Sequence, residues 1–144
     1  MVETARKNDI IYLIIYLKKL IDKDLDNRVS EYGLTGQQCR ILFFIDRHDD
    51  VIHQNDIENA FHLSKSTVSG LVKRMEKNGV ITIEKQHPYA LIKLSERGLE
   101  IINHLKDERE NNLERLTKSL NKEDKVNMCE YLIRLIDNME GGEK

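Results

Sequence analysis

Residues 54–94 constrain the possible folds of this chain more than any other segment. Two short stretches with helical spacing of apolar residues, 54–61 and 65–78, are joined by a link of a few residues. Two β-branched runs follow, 80–84 and 89–94, and the residues between them suit a hairpin tip because they include the chain's proline. A two-stranded hairpin is not stable by itself, so it must pack against the helices before it. This order predicts a winged helix-turn-helix.

Amphipathic helices are predicted on the N-terminal side of this segment. Apolar residues recur with a 3.6-residue period from 8 to 32, and Gly33 is expected to end that helix. Thr35 and Gln38 have the spacing of a capping box, which predicts the start of a second helix, and the polar residues 46–51 should form a loop after it. The predicted buried stripe of this second helix is Cys39, Leu42, Phe43 and Ile45.

Two more helices are predicted after the hairpin, with Ser95 and Asn121 as their N-caps. The middle of the first, 106–112, is almost wholly polar, so it is either exposed or in contact with another chain. The terminal helices have more apolar stripe than a compact monomer would cover, which predicts a homodimer. The predicted stripe of the last helix is Val126, Cys129, Leu132, Ile133, Ile136 and Met139.

The fold class is therefore mainly α with a small β-hairpin wing. We expect a winged helix-turn-helix DNA-binding domain over 34–94, and a helical dimerisation region made of 1–33 and 95–144. No apolar run reaches the roughly 18 residues of a membrane span, and the two cysteines have no disulfide or zinc spacing. These features predict a cytoplasmic protein.

Charge is unevenly distributed along the chain. The net charge is −2, but residues 64–97 hold seven basic and three acidic residues, a local charge of +4. The remaining residues hold sixteen basic and twenty-two acidic ones, a charge of −6. A basic segment centred on a helix-turn-helix is typical of a nucleic-acid interface.

The segment 65–78 has the pattern of a DNA-recognition helix. Its apolar residues lie on one face, and the other face carries hydroxyls near its start and cations near its end. In a major groove, hydroxyls can reach base edges while lysines hold phosphates. Gly70 costs a helix about 0.5–1 kcal/mol, which close approach of another surface would explain. The predicted DNA contacts are Ser64, Lys65, Ser66, Thr67, Ser69, Gly70, Lys73, Arg74 and Lys77, with Lys85 and His87 on the wing.

The sequence resembles the MarR family of bacterial transcriptional regulators. The resemblance lies in five stretches in register: LTGQQ at 34–38, QNDI at 54–57, LSKSTVS at 63–69, MEKNGVI at 75–81 and LSERG at 94–98. It implies an obligate dimer joined by the first, fifth and sixth helices, and a palindromic operator. It also implies relief of repression, in many members, by a small molecule or an oxidant.

Two departures from the family pattern matter. Wings of the family commonly carry an Asp-x-Arg element whose arginine enters the minor groove, whereas the tip 85–89 is shorter and has neither residue. Base reading should therefore fall on Ser66, Thr67 and Ser69. His62 stands where such turns often have glycine, and histidine tolerates the left-handed conformation that the turn needs.

Other functions have less support in the sequence. Tyr12, Tyr16, Phe43 and Phe44 could line an effector pocket, or could equally be core or interface aromatics. No metal site, cofactor or enzymatic motif is expected, since the histidines form no ligand set and no nucleophile has an evident partner. Both cysteines lie on apolar stripes and should be buried, which disfavours oxidant sensing. The alternative function is a protein-interaction module with this fold that does not read DNA.

Overall fold

The computed structural model describes residues 1–49, 51–85 and 90–141. The chain forms two compact units, residues 1–103 and 104–144. No helix among the described residues is long and apolar enough to span a membrane. In chain order the elements are α1 (Ile10–Val29), α2 (Gly36–Arg47), α3 (Gln54–Phe61), α4 (Lys65–Lys77), β1 (Ile81–Lys85), β2 (Ala90–Leu94), α5 (Glu96–Thr117) and α6 (Lys122–Gly141), with single 3-10 turns at Thr4–Arg6 and Ser30–Tyr32.

The helix starts follow the capping residues of the sequence. Thr35 accepts a hydrogen bond from the Gln38 amide, and the Gln38 side chain accepts one from the Thr35 amide, so the predicted capping box is present. Asn121 and Asp124 make the same reciprocal pair at the start of α6. Side-chain acceptors at these positions satisfy backbone N–H groups that the helix itself leaves unpaired. The predicted loop 46–51 begins later than expected, because α2 continues to Arg47.

The wing is an antiparallel hairpin that also contacts a residue before α3. Its register pairs Ile81 with Leu94 and Lys85 with Ala90. Ile52 pairs with Ile92 through two backbone hydrogen bonds of 3.1 and 2.8 Å. The sequence pattern does not predict this isolated bridge, which ties the hairpin to the segment in front of the helix-turn-helix.

The core of the first unit is formed by one face each of α2, α3 and α4, by the first turns of α5 and by the hairpin. Three of the four residues predicted for the α2 stripe are buried, and Phe43 is half-buried. The largest fully buried side chains are Ile41, Leu42, Ile45, Ile57, Met75, Ile81, Ile92 and Ile102. Because these residues come from α2, α3, α4, β1, β2 and α5, the helix-turn-helix and the wing share one core.

Large apolar side chains are exposed on α1 and, separately, on α6. On α1 they include Ile11, which is 71% exposed, and Ile15, which is 62% exposed. No described residue of α6 is buried, and Val126, Ile133 and Ile136 are more than half exposed. The expectation that Cys129 is buried is wrong for the single chain, because the stripe on which it lies is uncovered.

Candidate nucleic-acid interface

Helix α4 separates a buried face from an exposed one, as its sequence pattern predicts. Val68, Leu71, Val72 and Met75 are each at most 5% exposed and face the core. On the other side Ser66, Thr67, Lys73, Arg74 and Lys77 are exposed, and Ser69 and Gly70 are half-buried. The helix therefore presents hydroxyls at its first turn and cations along its later turns.

The first turn of α4 is held by a network of hydroxyl groups. The Ser64 hydroxyl accepts a hydrogen bond from the Thr67 amide at 3.2 Å and donates one to the Thr67 hydroxyl at 2.8 Å. It also lies 3.3 Å from the Ser66 hydroxyl. Ser64 thus acts as the N-cap, and the exposed hydroxyls of Ser66 and Thr67 are fixed beside the positive end of the helix dipole.

The joint between α3 and α4 is a tight turn at His62. His62 has φ of 54° and lies in the left-handed region, as predicted for a residue in a glycine position. The Leu63 amide donates to the Glu58 carbonyl, which closes the turn. The Gln54 side chain also donates to the Lys65 carbonyl at 3.4 Å. No sequence pattern predicts this hydrogen bond, which connects the start of α3 to the start of α4.

The wing contributes fewer cations than the sequence count suggests. Lys93 donates to Glu84 at 3.1 Å across the two strands, so this pair largely neutralises itself. Lys85 is exposed at the end of β1. His87, the other predicted wing contact, lies outside the described residues, as do the rest of residues 86–89.

Gly70 lies on the exposed side of α4 with space around it. Among the described residues, a methyl group at this position would meet only the flexible end of the Arg74 side chain, at 3.3 Å. Packing within the chain therefore does not require a glycine here. The close approach of another surface remains our prediction for this residue.

Three of the four aromatic residues predicted for an effector pocket, Tyr12, Tyr16 and Phe44, fall into two separate surroundings. Tyr12 and Tyr16 pack on each other along α1, with ring centroids 5.7 Å apart. Phe44 packs edge-on against Phe61 of α3 and lies beside the His48 ring. A cavity of about 400 Å³ is lined by Met1, Val2, Leu13, Tyr16, Leu17 and Leu20. The effector pocket stays a prediction, with Tyr16 placed at a cavity.

Histidines and cysteines form no evident reactive centre in the described part of the chain. No group of three or more His, Cys, Asp or Glu side chains there could hold a metal ion. His48 and His53 each lie within hydrogen-bond distance of a backbone carbonyl oxygen, of Phe44 and Ala90 respectively. Burial raises the pKa of the Cys39 thiol to about 11, which keeps it in the unreactive thiol form.

Comparison with known proteins places this geometry among transcriptional regulators. Residues 32–87, which hold α2, α3, α4 and β1, match the model of the MarR family. The HTH-type transcriptional regulator PecS of Dickeya dadantii (strain 3937) is 27% identical over 121 residues, which cover 81% of this chain and 73% of PecS.

Solved structures share the fold over nearly the whole chain. The S. aureus MepR–DNA complex matches with a TM-score of 0.85 and 20% identity, covering 92% of this chain and 99% of that one. The organohalide-sensing regulator RdhR-CbdbA1625, bound to 2,4-dichlorophenol, matches with a TM-score of 0.80 and 19% identity, covering 96% and 86%. The family match at 32–87 and the shared fold agree with each other, and the chain is similar to members of the MarR family.

Proposed function

We propose that this chain is a sequence-specific transcriptional regulator that binds double-stranded DNA as a homodimer and represses transcription at a pseudo-palindromic operator. The observation that carries the proposal is the two-sided α4, with a buried apolar face and an exposed face of hydroxyls and cations. The fold matches that of MepR, whose structure is a DNA complex. In such a complex α4 would enter the major groove, with the hydroxyls of Ser66 and Thr67 toward base edges and Lys73 and Lys77 on phosphates.

The exposed apolar residues of α1 and α6 support the homodimer. Apolar surface of this extent is unfavourable in water, and a second copy of the chain would remove it from solvent. A two-fold axis would place two copies of α4 about 34 Å apart, one turn of DNA, so each would read one half of a pseudo-palindrome.

A small-molecule effector is a further part of the proposal. RdhR-CbdbA1625 is a relative in fold that has been solved with 2,4-dichlorophenol bound. In this chain the cavity beside Tyr16 has mostly apolar walls, which suit an aromatic ligand. An effector would act by lowering operator affinity.

Replacing Lys73 or Lys77 by alanine is expected to weaken binding to an operator selected by the wild-type protein from random-sequence DNA. Each lysine that holds a phosphate releases condensed counterions on binding. Each variant of the proposed homodimer loses two such contacts, so the slope of log K against log salt should fall by about two units. Titrations of labelled operator at several salt concentrations, followed by fluorescence anisotropy, measure this slope.

Lys118 provides the matched control for these variants. It is an exposed lysine between α5 and α6, outside the candidate interface, and Lys118→Ala should leave the slope unchanged. Slopes that stay at the wild-type value in both the Lys73 and the Lys77 variants would exclude this face of α4 as the phosphate contact. A wild-type protein that selects no DNA sequence would overturn the proposed function itself.

Replacing Gly70 by alanine should separate stability from DNA binding. Alanine favours the helix by about 0.5–1 kcal/mol, and the new methyl group meets only the end of a flexible side chain. The same methyl group would lie in the space that we assign to DNA, so operator affinity should fall about tenfold, in the range of one lost base contact. Urea unfolding and operator titration test the two effects, and unchanged affinity in Gly70→Ala would argue against close approach at this position.

A further inference from the structure

Residues at the start of α5 form hydrogen bonds with the segment that joins α4 to β1. The Ser95 hydroxyl donates to the Gly79 carbonyl at 2.5 Å, and the Ser95 amide donates to the Val80 carbonyl at 3.1 Å. The Arg97 guanidinium donates from one nitrogen to both the backbone carbonyl of Asn78, at 2.5 Å, and its side-chain oxygen, at 2.7 Å. Asn78 is the C-cap of α4, so these bonds attach the end of that helix to the start of α5.

The side chains of Asn78 and Arg97 also donate hydrogen bonds to a third segment, the turn between α1 and α2. The other terminal nitrogen of Arg97 donates to the Tyr32 carbonyl at 3.1 Å, although the two residues are 65 positions apart in the sequence. The Asn78 side-chain amide donates to the carbonyls of Tyr32 and Gly33, at 3.2 Å each. We call the side chains of Asn78 and Arg97, with the Tyr32 and Gly33 carbonyls, the α4–α5 clasp.

The geometry of the clasp favours an orienting function over simple helix capping. Local backbone bonds already close the end of α4, since the Asn78 and Gly79 amides donate to Arg74 and Glu76 carbonyls. The clasp bonds are additional, and they join three elements that are distant in sequence. A planar guanidinium with donors in a fixed fork restrains direction as well as distance, which a lysine cannot do.

We propose that Arg97 and Asn78 are positioning residues that set the direction of α4 relative to α1 and α5. In the proposed dimer this direction fixes the separation and rotation of the two copies of α4, and hence the half-site spacing that the protein accepts. The proposal rests on the proposed DNA-binding function, and neither side chain needs to touch DNA.

The test compares two operators that differ only in half-site spacing. One is the selected operator, and the other carries one extra base pair at its centre, which moves the half-sites apart by about 3.4 Å and rotates them by about one tenth of a turn. The wild-type protein should strongly prefer the selected spacing. In Arg97→Gln the ratio of the two affinities should fall at least about fivefold, because α4 can adopt more directions.

This ratio distinguishes positioning from general destabilisation. A variant that only lowered the folded fraction would weaken binding to both operators by the same factor and leave the ratio unchanged. Arg97→Lys, which keeps the charge but loses the fork, should behave like Arg97→Gln. Arg47→Gln, which removes an exposed arginine in the last turn of α2, should keep the wild-type ratio. An unchanged ratio in both Arg97 variants would overturn the proposal.

A measurement without DNA tests the clasp independently of the proposed DNA-binding function. Hydrogen exchange of the amides in residues 32–34 and 78–80 should be several-fold faster in Arg97→Gln than in the wild-type protein, with exchange in α6 unchanged. If the wild-type protein selected no operator while this exchange still rose, the DNA-binding function would fail and the clasp would stand as a structural joint. Unchanged exchange would overturn the clasp whatever the DNA result.

Discussion

Replacing Ile133 by glutamate on α6 should convert the proposed dimer to a monomer and lower operator affinity by about 100-fold or more. Ile133 is 56% exposed in the single chain and lies among other exposed apolar residues of the same helix. If a second copy covers this stripe, a glutamate there is a buried charge without a partner, which is strongly unfavourable. A monomer can read one half-site only, and it loses much of the difference between specific and non-specific binding.

Sedimentation velocity and operator titration measure the two parts of this effect. Asn138→Glu is the matched control, since it introduces the same charge on α6 at an exposed residue on the side of the helix away from Ile133. That variant should remain dimeric and bind operator normally. A monomeric Ile133→Glu variant that binds the operator as tightly as the wild-type protein would contradict the two-half-site mechanism, and a dimeric one would remove α6 from the dimer interface.

The elements that could be predicted from sequence are those with local signals. The capping pairs at Thr35–Gln38 and Asn121–Asp124 act within one turn, so the residues that form them are close in the chain as well as in space. The two faces of α4 follow from helical periodicity alone. His62 could be assigned to a left-handed turn because it stands where turns of this kind often have glycine, and histidine tolerates that conformation.

Features that depend on distant contacts could not be predicted in this way. The pairing of Ile52 with Ile92 is a single bridge and has no periodicity. The clasp joins Tyr32, Asn78 and Arg97 through hydrogen bonds, largely to backbone carbonyls, which carry no side-chain pattern. Cys129 shows a different limit, since an apolar stripe has the same sequence whether its own chain or a second copy covers it.

Within the candidate interface, the sequence identified the face of α4 but not how each side chain is used. Ser64 is among the predicted DNA contacts, yet its hydroxyl already caps the helix. Ser69 is half-buried, which leaves Ser66 and Thr67 as the most accessible hydroxyls. Burial and hydrogen bonding of a side chain depend on neighbouring elements. The exposed face of α4 can therefore be predicted from the sequence, whereas the availability of each of its side chains for DNA contact cannot.

Replacing Gly98 by alanine should lower the free energy of unfolding by about 2–3 kcal/mol, the upper range for overpacking a tight site. Gly98 lies in the first turn of α5, and a methyl group there would clash with the backbone carbonyl oxygen of Val80. This carbonyl accepts the Ser95 amide, and the Val80 amide is bonded to the Met75 carbonyl. The backbone cannot move away from the new methyl group without breaking bonds at the end of α4.

Urea unfolding of Gly98→Ala and of Gly141→Ala as control tests this contact. Beyond its chain neighbours and the backbone of its own helix turn, no described atom lies within 4 Å of a methyl group at Gly141. That variant should therefore unfold within about 0.5 kcal/mol of the wild-type protein. A Gly98→Ala variant as stable as the control would show that α5 can shift away from Val80 freely. Because the same shift would draw Arg97 away from Asn78, a stable Gly98→Ala variant that kept its preference for operator spacing would also argue against the clasp. Gly70→Ala, in contrast, should raise stability while it lowers DNA affinity, since its methyl group would face outward from α4.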